Sequence, residues 1–220
     1  MTPTLFDFPP QAQVGRVLPK SKVYQHGRIG AALRERFVRQ VEQITWQYKL
    51  APETINLPAR AGIEEIEIFD LALKTEALDE DILRAIDRAI PLPIFFRLQH
   101  GPRTRMAAAY KRPSAAEAGK WVIDGYFAGE WLPAAARRPL PVALDLHGLY
   151  EQLLRSLLSQ PARPGESLPE QLERLTRLRS RQNDYGKLEV RLHREKQFNR
   201  KVALNAQLRE LSAEIDRLSA

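Results

Sequence analysis

The spacing of apolar residues changes along the first half of the chain, and each spacing predicts a different element. From Ile29 to Tyr48 apolar side chains recur every three or four positions, which is typical of an amphipathic helix. The segment from Ile63 to Lys74 is rich in β-branched and aromatic residues and predicts a buried central strand. Helical spacing returns after Asp79 and ends at Pro91, so we expect Asp79 or Asp81 to cap a second helix.

Three more strands are predicted after this second helix, at Pro93 to Gln99, Thr104 to Lys111 and Lys120 to Trp131. The turn residues His100-Gly101-Pro102 make the first two of them a hairpin. Together these elements predict an α+β domain, built on an antiparallel sheet of about four strands with two helices packed on one face.

The prolines divide the rest of the chain into further segments. Residues 1–27 contain four prolines and predict an extended N-terminal arm, which leads into the α+β domain at 28–132. Residues 133–167 read as proline-rich connectors on either side of a leucine-rich helix, from about Leu144 to Ser159, that would dock on the domain or on a partner. Residues 168–220 then predict a basic extension that is helical and partly coiled coil.

The end of this extension carries apolar residues at alternating spacings of four and three, the heptad seam of a coiled coil. The seam residues are Leu204, Leu208, Leu211, Ile215 and Leu218. Extrapolated towards the N-terminus, the same register places polar residues in the seam: Lys187, Arg194, Gln197 and Lys201. We therefore expect either a break or helical hairpin near Tyr185-Gly186, or a coiled coil that self-associates.

The charge of the 220-residue chain is concentrated in this extension. Residues 174–201 contain ten basic and three acidic side chains, which equals the net charge of +7 of the whole protein. The remainder is neutral. A charge gathered on one helical segment predicts a local field that attracts an anionic polymer.

The densest part of the basic segment combines cations, amides and an aromatic ring, which suit phosphate contacts, hydrogen bonds and base stacking respectively. The candidate nucleic-acid-binding residues are Arg191, Arg194, Lys196, Phe198, Asn199, Arg200, Lys201 and Asn205. Two other interpretations stay open. The segment could be a solvated helix face with internal pairs such as Arg191–Glu195, or it could bind an acidic protein.

A metal-dependent nuclease is the enzymatic alternative, because such enzymes place an acid two positions before a lysine on a core strand. Lys74 is present, but Ala72 stands at the position of that acid. Asp70 and Lys74 share a face of the predicted strand, so an ion pair between them is the simpler expectation.

Other kinds of chemistry have little support in the sequence. The chain has no cysteine, its four histidines lack metal-ligand spacing, and it has neither a phosphate-binding loop nor a nucleophile elbow. We expect no catalytic residue, metal or cofactor. The absence of a signal peptide, a membrane span and cysteines leads us to expect a cytoplasmic protein that does not enter membranes.

Several segments resemble an uncharacterised bacterial domain-of-unknown-function family over nearly the whole chain. These segments are Leu18 to Lys22, Gln40 to Ile44 with Trp46, Tyr48 to Leu57, Ala109 to Pro113, and Lys196 to Lys201. The family is encoded beside Swi/Snf-type helicases and DNA methyltransferases in restriction-like or phage-defence loci. The resemblance implies an accessory role near DNA-processing enzymes. Relatives often carry a second acid where this chain has Ala72, which further weakens the nuclease alternative.

We therefore expect a non-catalytic subunit of a DNA-targeting assembly. Its partners would be DNA or another nucleic acid and a helicase or methyltransferase. A scaffold that forms a homodimer or binds a protein without DNA is the alternative.

Overall fold

The computed structural model of the protein describes residues 5–27, 29–113 and 121–220. The chain forms two compact units, Met1–Leu158 and Ser159–Ala220. The predicted strand Lys120 to Trp131 begins at a residue outside the described ranges, as does the predicted N-terminal arm. The first unit contains the sheet, and the second consists of two long helices.

The strands of the first unit are β1 (Leu5–Asp7), β2 (Gln13–Val17), β3 (Val41–Leu50), β4 (Ile66–Leu73), β5 (Ile94–His100), β6 (Arg103–Pro113), β7 (Trp121–Ala128), β8 (Leu132–Pro133) and β9 (Arg137–Pro139). Its helices are α1 (Lys20–His26), α2 (Ala31–Gln40), α3 (Pro52–Ile55), α4 (Glu80–Ala89) and α5 (Leu146–Arg155). The second unit contains α6 (Leu168–Arg194) and α7 (Phe198–Ser219).

The predicted α+β class is confirmed, but the predicted sheet of about four antiparallel strands is too small. The described residues form a seven-stranded sheet in the order β2-β3-β4-β5-β6-β7, with β8 also paired to β6. Neighbours are antiparallel except β4 and β5, which run parallel because α4 crosses between them. Strands β1 and β9 pair in parallel as a separate ribbon.

The predicted helix from Ile29 to Tyr48 is wrong in its second half, because α2 ends at Gln40 and β3 begins at Val41. A register shift after Val41 inserts an extra residue, so Val41 and Ile44, three positions apart, both face the core below the helices. This β-bulge reproduces the spacing of a helix in a strand. Pairing with β4 decides the outcome, since Ile44 lies opposite Leu71 in the sheet.

Two local predictions are confirmed. The Asp79 side chain accepts a hydrogen bond from the Asp81 amide at the start of α4, and the helix ends before Pro91. Strands β5 and β6 form the predicted hairpin, with His100 opposite Arg103 across the Gly101-Pro102 turn.

Helices cover both faces of the sheet, whereas packing on one face was predicted. Helices α1, α2 and α4 bury Val23, Phe37 and Ile86 against one face of the strands. On the other face, the ring of Tyr150 in α5 packs edge-on against Phe95, with ring centroids 6.0 Å apart. Helix α5 corresponds to the leucine-rich helix expected from about Leu144 to Ser159.

The N-terminal segment is less extended than predicted. It contains β1, a 3-10 turn at Pro10–Ala12, the edge strand β2 and the helix α1. Pro19 immediately precedes α1, and its fixed φ suits the start of a helix. Proline lacks a backbone N–H, but an N–H at this position would form no hydrogen bond within the helix.

Candidate nucleic-acid interface

Helices α6 and α7 form a helical hairpin whose turn lies at residues 195–197. The sequence analysis allowed a hairpin but placed the break near Tyr185-Gly186, and this position is wrong because α6 continues through Gly186. The turn forms at Glu195 instead, since its carboxylate accepts hydrogen bonds from the amides of Lys196 and Gln197 at 2.8 and 2.9 Å. These bonds give an acceptor to the amides of two turn residues that lie between the helices.

The predicted binding residues all lie around this turn, in the segment 187–205 that we call the hairpin tip. Arg191, Arg194, Lys196, Phe198, Asn199, Arg200, Lys201 and Asn205 are all exposed. The two helices therefore bring together, at one end of the hairpin, side chains that the sequence analysis placed along a single helix.

The basic segment divides into a neutralised part and an unpaired part. Outside the tip, Arg174 lies 2.7 Å from Glu166, Arg177 lies 2.6 Å from Glu173, and Arg181 lies 3.0 Å from Glu214. Arg174 also donates to the carbonyl of Leu218, near the C-terminus of α7, at 3.0 Å. Arg174 and Arg181 join α6 to α7, Arg177 pairs within α6, and all three cations have little charge left for a ligand.

The cations of the tip have few acidic neighbours. Among the described residues, no carboxylate lies within 4.0 Å of Arg191, Arg194, Lys196 or Lys201, and Arg200 lies 3.9 Å from Glu195. The intrahelical pair Arg191–Glu195, expected for a simple solvated face, does not form. Hydrogen bonds from the amides of Gln197 and Lys196 hold the pKa of Glu195 below its ordinary value. The Glu195 carboxylate therefore stabilises the turn and does not pair with Arg191.

An aromatic ring stands beside these cations at the start of α7. Phe198 is 78% exposed, and Val202, one turn further along, is 53% exposed. The side chain of Gln197 does not cap the N-terminus of α7, and Arg200 and Lys201 follow within the next turn. Exposed cations bind phosphate oxygens, and an exposed ring can stack on an unpaired base.

The predicted seam residues lie on α7, where Leu208 is buried and Leu204, Leu211, Ile215 and Leu218 are half-buried. Leu211 lines a groove shared with Leu188 of α6. The register extrapolated through the turn is wrong, because Lys187, Arg194 and Lys201 are exposed and occupy no core positions. The heptad pattern of α7 does not continue into α6, because α7 begins at Phe198 and a turn separates the two helices.

The ion pair predicted between Asp70 and Lys74, the residues of the nuclease alternative, does not form. Arg97 donates to the Asp70 carboxylate from Nε and Nη2, at 2.5 and 2.6 Å, and Gln99 donates to it at 3.1 Å. Lys74 donates instead to the carbonyl of Val38 at 2.8 Å. The described residues contain no group of three or more acidic or histidine side chains placed to hold a metal ion.

Sequence reasoning missed a buried polar network in the first unit. Lys111 Nζ lies 2.6 Å from Asp87 Oδ1, and both side chains are almost completely buried. Tyr126 donates to the other oxygen of Asp87, and Lys111 also donates to the carbonyl of Leu92. A lysine near the end of a strand rich in alanine was the available signal, because buried charges require partners.

The chain is an α+β protein whose second unit is a basic helical hairpin. A family model, "Domain of unknown function (DUF4391)", matches residues 6–215, and the chain belongs to this family. No curated protein and no solved structure matches the chain. Within the part of the chain that the structure describes, no helix is long and apolar enough to cross a membrane.

Proposed function

We propose that the protein is a non-catalytic accessory subunit of a bacterial DNA-targeting system of the phage-defence or restriction-modification kind. The hairpin tip binds the nucleic-acid backbone without base specificity, and the α+β unit docks a helicase or methyltransferase. The role near such enzymes rests on the family resemblance. The binding role rests on the structure of the tip.

The observation that carries the binding role is the distribution of charge in the second unit. The tip contains six basic and two acidic residues, a net charge of +4, while the rest of Ser159–Ala220 contains seven of each. The net charge of this unit therefore lies entirely in the tip. Cations that lack acidic partners are free to replace the counterions of a phosphate backbone, and this release drives non-specific binding.

The test replaces Arg194, Lys196, Arg200 and Lys201 by alanine in the full chain. Fluorescence anisotropy with labelled duplexes of several sequences should show weaker binding for all of them to a similar degree, because phosphate contacts do not depend on base identity.

The matched control is a second variant with the same change in net charge, in which Arg177, Arg179, Arg209 and Arg217 become alanine. With a helical rise of about 1.5 Å per residue, Arg177 and Arg209 lie roughly 27 and 18 Å from the turn. This variant should bind nearly as well as the wild type. Equal losses in the two variants would mean that net charge, not the tip, determines binding, and unchanged affinity in the tip variant would contradict the proposal.

The alternative is a scaffold that binds a second copy or a protein partner through the hairpin. The exposure of Val190 and Val202, 51% and 53%, favours it. A dimer in light scattering that Val190→Asp and Val202→Asp abolish would support this alternative. Nuclease activity has less support, because the Asp70 carboxylate that would bind a metal ion already accepts hydrogen bonds from Arg97 and Gln99.

A further inference from the structure

A cavity of about 280 Å³ opens in the first unit near the start of strands β4 and β5. Its walls are mainly apolar, with three charged side chains. The residues that line it, here called the Glu67 pocket, are Leu18, Trp46, Phe69, Ile90 and Leu92, with Arg16, Glu65 and Glu67. The volume is close to the lower limit for small-molecule sites and suits a ligand of one ring.

Glu67 is the unusual member of this lining, because its carboxyl group is buried in an apolar wall. The residue is 3% exposed, and the indole N–H of Trp46 donates to one of its oxygens. Glu65 lies two residues before Glu67 and also lines the pocket. Burial and the charge of Glu65 raise the pKa of Glu67 to about 7, and the Trp46 bond and Lys49 oppose this rise.

The other charged groups near Glu67 are already engaged or lie in water. Lys49 bridges Glu53 and Glu65, at 2.9 Å from each, and Arg16 is exposed on the edge strand β2. The side chains of Ile90 and Leu92, which close the pocket from the α4–β5 connection, carry no charge. Glu67 is therefore the buried ionisable group of the lining, and its ionised form favours a positive group in the pocket.

The wall formed by the α4–β5 connection is held in place from inside the protein. The Lys111 ammonium donates to the carbonyls of Ile90 and Leu92, and Asp87 binds the same ammonium. Segments that carry the family resemblance supply Leu18, Trp46 and Lys111. A pocket whose wall is fixed before binding loses less entropy when a ligand enters.

We infer that the Glu67 pocket binds a small planar aromatic molecule that carries an amidinium or amino group. The ring lies against Trp46 and the apolar wall, and the nitrogen donates to the Glu67 carboxylate. The bound cation takes the place of the Glu67 proton, which is released to solvent. The charge-assisted hydrogen bond in a site with little water accounts for selectivity over anions.

The test uses benzamidine and the isosteric anion benzoate as probes, with binding measured by isothermal titration calorimetry on the full chain. Benzamidine should bind and benzoate should not. Glu67→Gln keeps the acceptor for Trp46 but removes the charge, and it should weaken benzamidine binding at least tenfold. Glu64→Gln is the matched control, because Glu64 is exposed and does not line the pocket.

The pH dependence gives a second measurement on the unaltered protein. Benzamidine stays cationic near neutrality, so its affinity follows the ionisation of Glu67 and should be about tenfold weaker at pH 6 than at pH 8 for a pKa near 7. Equal binding of benzoate and benzamidine, no binding of benzamidine, or full affinity in Glu67→Gln would each overturn the inference.

Discussion

Lys111 shows how a single buried side chain can fix several elements at once. Its ammonium binds Asp87 of α4 and the carbonyls of Ile90 and Leu92, while its own backbone amide donates to the Tyr150 hydroxyl of α5. Burial lowers the pKa of Lys111 and raises that of Asp87, because removal from water penalises both charged forms. The attraction within the pair opposes both shifts, and the Tyr126 hydroxyl also donates to the Asp87 carboxylate, so we expect the pair to be ionic.

Removal of one partner should therefore cost more than removal of the whole network. We expect Lys111→Met to lower the free energy of unfolding by about 3–5 kcal/mol, because it leaves the Asp87 carboxyl buried without its cation. The triple variant Lys111→Met, Asp87→Leu, Tyr126→Phe should recover most of this loss. Urea unfolding at pH 7 measures both. A loss for the single variant no larger than that for the triple variant would contradict an ionic pair.

At the scale of elements, the sequence predicted those whose signals are local. The Asp79 cap of α4 and the Gly101-Pro102 turn of the β5–β6 hairpin follow from residue types at fixed positions. Strand β3 could not be predicted, since a bulge gave Val41 and Ile44 the spacing of a helix and only pairing with β4 identifies the strand. Similarly, the partner of Asp70 comes from the neighbouring parallel strand β5, which no local pattern reveals.

The hairpin turn shows the same limit, because the break considered near Tyr185-Gly186 does not exist. A Cβ at Gly186 would meet no atom of the described residues within 4 Å, and the residue lies inside α6. Gly186→Ala should therefore raise the free energy of unfolding by about 0.5–1 kcal/mol, since alanine loses less backbone entropy in a helix.

The comparison for this prediction is Gly165→Ala, in the loop before α6. Gly165 has a φ of +77°, a conformation that side chains rarely adopt, so alanine should lower the stability at this position. Urea unfolding followed by circular dichroism measures both variants. A loss of stability in Gly186→Ala similar to that in Gly165→Ala would show that α6 does not continue through residue 186.

At the scale of the whole molecule, the location of the charge matters more than its total. The chain carries +7, but the second unit holds its excess of +4 within the nineteen residues of the tip. The sequence showed that basic residues are closely spaced in the segment 174–201. The structure shows which of these cations are neutralised. Arg174 pairs with Glu166 in the loop before α6, and Arg181 pairs with Glu214 on α7.

This separation makes a quantitative prediction for the salt dependence of binding to duplex DNA by the full chain. Six phosphate contacts give a slope of about −5 for log K against log salt, so affinity should fall about 10³-fold between 50 and 200 mM salt. With Arg194, Lys196, Arg200 and Lys201 replaced by alanine, two tip cations remain, and the fall should be only about tenfold. Anisotropy titrations at four salt concentrations give both slopes. Parallel slopes for the two proteins would mean that other surfaces contact the phosphates, because the slope counts contacts independently of the absolute affinity.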